Sequence, residues 1–144
     1  MIEQDTIRLL RECDAGIKMG ISSLDDSVKY VKNSELKNIL DKSAKEHTKI
    51  KQDMQKLLER YHDDGKEPPA MAKGMEWFKT NIGLAVNASD NAVAGFITDG
   101  CNMGIKSLSR YLNQYQAADE KSKDISKKLI SIEEKLAVDI RQFL

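Results

Sequence analysis

A chain of 144 residues is the length of one ordinary domain with a single sizeable core. Lys plus Arg equals Asp plus Glu at 23 each, so no net field draws the chain to nucleic acid or to an anionic membrane. The balance of 40% hydrophobic, 32% charged and 6% aromatic residues, with only two prolines, suits helices and argues against a sheet.

The first thirteen residues, Met1 to Cys13, carry charges throughout. The sequence thus predicts neither a signal peptide nor a spanning helix, and hence a cytoplasmic protein. Cys13 and Cys101 form no CxxC pattern and are expected as reduced thiols. From about Asp5 to Lys32 an apolar stripe recurs in steps of three and four: Ile7, Leu10, Asp14, Ile17, Ile21, Leu24, Val28, Val31. That rhythm puts one side chain per turn on one face and predicts a long helix packed against others. Asn33-Ser34 reads as a tight reversal, with Ser34 capping a second helix that runs to about His62. Its stripe is Leu36, Leu40, Ser43, His47, Ile50, Met54, Leu57, Tyr61.

The run Asp63-Asp64-Gly65-Lys66-Glu67-Pro68-Pro69 is a clear stop. Beyond it Met71, Met75, Phe78, Ile82 and Ala85 predict a shorter helix over 71–86. Asn87 to Asp90 ends that helix and supplies a new N-cap. A third long helix carries Ala94, Ile97, Cys101, Gly104, Leu108, Tyr111 and Tyr115, and a fourth, capped near Ser122 or Asp124, carries Ile125, Leu129, Ile132, Leu136, Ile140 and Phe143. Four helices of about 25 to 28 residues are each roughly 40 Å long, the dimension of a four-helix bundle. The short helix sets the topology. If the first helix rises and the second descends, the 71–86 segment climbs back outside the bundle, the third descends and the fourth rises. Residues 1–144 thus read as one all-α domain with one long crossover.

Several elements together resemble an uncharacterised bacterial family of the ferritin-like superfamily. They are Asn33-Ser34-Glu35-Leu36, His47, Gly65 with Pro68, the spacing Ala72, Trp77, Lys79, then Asp90 and Gly100. The resemblance covers nearly the whole chain and implies the ferritin-like bundle. It also implies a metal pattern, a Glu from each of two helices and Glu-x-x-His from each of the other two. The chain departs from it: Glu46 is followed directly by His47 with Lys49 at the third position, and Glu133 has Leu136 there. Gly20 and Cys101 stand near where the other carboxylates would be sought.

Counting depth from the turns at 1.5 Å per residue brings His47, Cys101, Glu133 and Gly20 to about one height, within a turn. The stripes place His47 and Cys101 inward, with Glu46 and Glu133 flanking them. Imidazole, thiolate and carboxylate together suit a single tetrahedral metal such as zinc, or iron. The plainer reading has His47 hydrogen-bonded to a buried carboxylate or backbone group and Cys101 packed as a small hydrophobe, with no cofactor. Gly16 and Gly20, and Gly100 and Gly104, stand four apart on the first and third helices. Each mid-helix glycine costs about 1 kcal/mol relative to alanine. Close approach of the two helices is the favoured use, and a small polar cavity is the alternative.

Asp14 and Asp139 are candidate buried acids, Asp14 being expected to reach solvent or a lysine. Trp77 beside Phe78 on a short outer helix marks a candidate homodimer contact. Two functional readings follow. The favoured one is a non-catalytic binding, structural or stress-related protein that has lost the di-iron ligands. The other is a metal-dependent redox protein, ferroxidase- or rubrerythrin-like, using Glu46, His47, Cys101 and Glu133.

Overall fold

The computed structural model describes residues 2–68 and 89–144. The predicted helix over 71–86, with Trp77 and Phe78, lies outside them. Among the described residues there are four long helices and no strand: α1 (Ile2–Val28), α2 (Ser34–Arg60), α3 (Asp90–Gln114) and α4 (Glu120–Asp139), closed by a 3-10 turn at Arg141–Phe143. No described helix is long and apolar enough to cross a membrane.

Capping side chains fix where three of these helices begin. Asn33, not Ser34, caps α2, its Oδ1 accepting from the backbone N–H of Glu35 and Leu36. Asn33 has the extended backbone that an N-cap needs, while Ser34 is already helical. Ser89 caps α3 through the Ala92 N–H. Asp119 caps α4 through the Ser122 N–H, so this helix starts before both expected caps, and with 20 residues is shorter than expected.

Hydrogen bonds at the two ends of the bundle set the helix directions. At one end the Asp90 carboxylate, at the start of α3, accepts from the Lys32 and Asn33 N–H groups in the α1–α2 turn, at 2.8 and 3.1 Å. At the other end Thr6 Oγ1 accepts from the Asp119 N–H (2.8 Å), Asp5 accepts from the Ala117 N–H, and the Tyr61 hydroxyl donates to Asp119 Oδ2 (3.0 Å). The start of α1, the end of α2 and the α3–α4 turn therefore share one end. It follows that α1 and α4 run one way, and α2 and α3 the other. α1 packs on α2 and α3, and α4 packs on the same two, so α1 and α4 occupy one diagonal and α2 and α3 the other.

The interior is split into two apolar clusters. One gathers Leu9, Leu10, Ile17, Met54, Leu58, Leu108 and Leu129, and the other Leu24, Leu36, Leu40, Val93, Ile97 and Leu136. Between them the inward positions of α2 and α4 are polar: Ser43, His47 and Glu133 are all buried. The core changes chemistry at its middle.

Candidate functional site

The mid-bundle layer is built around one hydrogen bond. His47 Nε2 lies 3.0 Å from Glu133 Oε1, joining α2 to α4, with His47 1% and Glu133 9% exposed. One turn back on α2, the Ser43 carbonyl lies 2.7 Å from His47 Nδ1. A carbonyl only accepts, so Nδ1 carries a proton and donates it, which fixes the ring and turns Nε2 toward Glu133. Burial pushes the imidazole's pKa down, but the hydrogen bond and charge of Glu133 and the Ser43 carbonyl outweigh it, and the net displacement is upward from 6.5. With Nδ1 donating to the carbonyl, the 3.0 Å contact needs one proton between Nε2 and Glu133 Oε1, and the buried pair is net neutral.

Cys101 of α3, 2% exposed, lies beside the same carboxylate. Burial first, and then the Glu133 charge, drive its thiol far above the ordinary range, so it stands as S–H. Cys13 is pushed up to about 12 by burial. Its S–H donates to Ser126 Oγ at 3.1 Å, since that hydroxyl's proton already goes to the Ser122 carbonyl at 2.9 Å.

All four residues of the depth count lie together: His47, Glu133, Cys101 and Gly20. Glu46, adjacent to His47 in sequence, lies elsewhere. Its Oε1 is 3.6 Å from Lys135 Nζ in a half-exposed pair across α2 and α4, because one residue along a helix is 100° around it. Among the described residues no group of three or more His, Cys, Asp and Glu side chains is arranged to hold a metal ion. A di-iron carboxylate centre does not fit: at the height of Glu133, α1 presents Gly20 and α3 presents Gly104 and the Cys101 thiol, so neither helix brings a carboxylate there. A Glu-x-x-His spacing does occur at Glu59 to His62, but both residues are exposed and His62, past the end of α2, has φ 54.

The glycines do not serve close helix approach throughout. A Cβ at Gly20 would sit 3.5 Å from His47 Cδ2 and 3.7 Å from Glu133 Oε1, and one at Gly104 3.7 Å from the same carboxylate. These are ordinary contacts. At Gly16 and Gly100 a Cβ would meet nothing within 4 Å among the described residues. All four line a groove of about 360 Å³ between α1 and α3, whose floor includes His47, Cys101 and Glu133. Its walls are otherwise mostly apolar, with Met19, Phe96, Met103 and Leu136 among them.

Asp14 is another buried acid, and of the two expected partners, solvent or a lysine, it reaches the lysine. Fully buried, its Oδ2 takes Lys18 Nζ at 2.8 Å and the Lys66 N–H at 3.0 Å. Lys18 also bonds Glu67 at 2.9 Å and Lys66 Nζ bonds Glu12 at 2.7 Å. The chain after α2 is thereby fastened to α1, which sets Lys66 and Pro68 at the groove. Asp139, the other candidate, is only half-buried.

Sequence reasoning missed Ser43 as the orienting partner of His47, although the four-residue spacing on one helix face was available. It also missed Met19 and Met103, which the stripes leave off the seam. Comparison of the chain with protein families, with curated proteins and with solved structures finds no match.

Proposed function

We propose that this chain is a ferritin-like bundle that binds a small organic molecule without transforming it, in the groove between α1 and α3 where a ferritin-like protein would bring metal ligands. The observation that carries this reading is the groove itself, about 360 Å³ among the described residues, walled by four glycines and floored by the buried His47–Glu133 pair. That volume lies in the range of small-molecule sites, roughly 300–1,000 Å³, as does the combination of apolar walls with a few convergent polar groups. Four glycines in helix interiors cost several kcal/mol in total, at about 1 kcal/mol each, and among the described residues Gly16 and Gly100 face open space.

The test is native mass spectrometry of the gently purified chain, with elemental analysis of the same sample. A retained non-covalent organic molecule, absent from a Gly100→Leu variant, supports the reading. Neither molecule nor metal in the parent overturns it. A single zinc or iron is the second reading, and it needs His47, Glu133 and Cys101 to leave the arrangement they have here. It requires loss of the Cys101 proton and of the His47–Glu133 hydrogen bond. One equivalent of metal per chain in the elemental analysis would establish it instead.

A further inference from the structure

We draw no further inference here: the strongest candidate, the row of exposed lysines at seven-residue spacing on α2 (Lys42, Lys49, Lys56) and α4 (Lys121, Lys128, Lys135), has a carboxylate three or four residues from every lysine, and nothing in the structure shows what covers it.

Discussion

Gly65 is the residue whose identity the structure constrains most tightly. Its φ of +86 lies in the left-handed region, and a Cβ there would run into the Asp14 carboxylate and press on Leu58. Gly65→Ala should lower stability by about 1–3 kcal/mol in urea denaturation, the cost of the strained backbone plus displacement of a buried acid that holds Lys18 and the Lys66 N–H. His47 gives a pH signature. Its folded pKa is raised above the ordinary 6.5, so the stability it contributes is fully present below 6.5 and is lost as pH rises through the folded value. Denaturation midpoints should therefore fall on going upward from about pH 6.5, and Glu133→Gln should flatten that fall by removing the charge that raises the pKa. The inward position of His47 was legible from its place in the stripe. Its partner was not, because spacing along one helix says nothing of rotation about another, and Glu46 and Glu133 looked equivalent until α4 was set against α2.

At the scale of the helix, the ends carry as much information as the faces. Asp119 caps α4 and also accepts the Tyr61 hydroxyl from α2, whereas Ser89 caps α3 with one local bond. Asp119→Ala should then cost about 1–2 kcal/mol and Ser89→Ala about 1 kcal/mol, measured by thermal or urea unfolding. Alanine at Gly16 or Gly100 should act oppositely. With no described residue within 4 Å of the new Cβ, none of them opposes the gain in helix propensity, and each variant should be more stable by about 0.5–1 kcal/mol. A loss at either position would mean that the open space is filled in solution. The three-four rhythm made the four long helices legible, since a seam of that kind has few other uses. The cap of α4 was less so. Asp119, Ser122 and Asp124 are all good capping residues, and the choice is made by Thr6 and Tyr61, which belong to other helices.

For the whole molecule, the arrangement of α1 to α4 was predictable as a bundle because two stop signals and one tight turn leave few ways to stack helices of this length. The groove was not predictable, since glycines four apart on two helices are equally consistent with backbones pressed together. Only the relative placement of α1 and α3 separates the two. The same placement bears on iron: with Gly20 and Gly104 facing Glu133, the chain should not bind two irons, and oxygen uptake after adding ferrous iron should not exceed that of buffer. An oxygen electrode trace with iron quantitation checks both. A last consequence concerns the order of events in folding. The most extensive pairings, α1 with α2 and α3 with α4, join neighbours across short turns, while the Asp90 and Asp119 contacts bind residues more than fifty positions apart. Closing a short loop loses far less chain entropy than closing a long one. The two hairpins are therefore the natural early units, and the aspartate clasps at either end of the bundle act late, as latches that slow unfolding without hastening assembly.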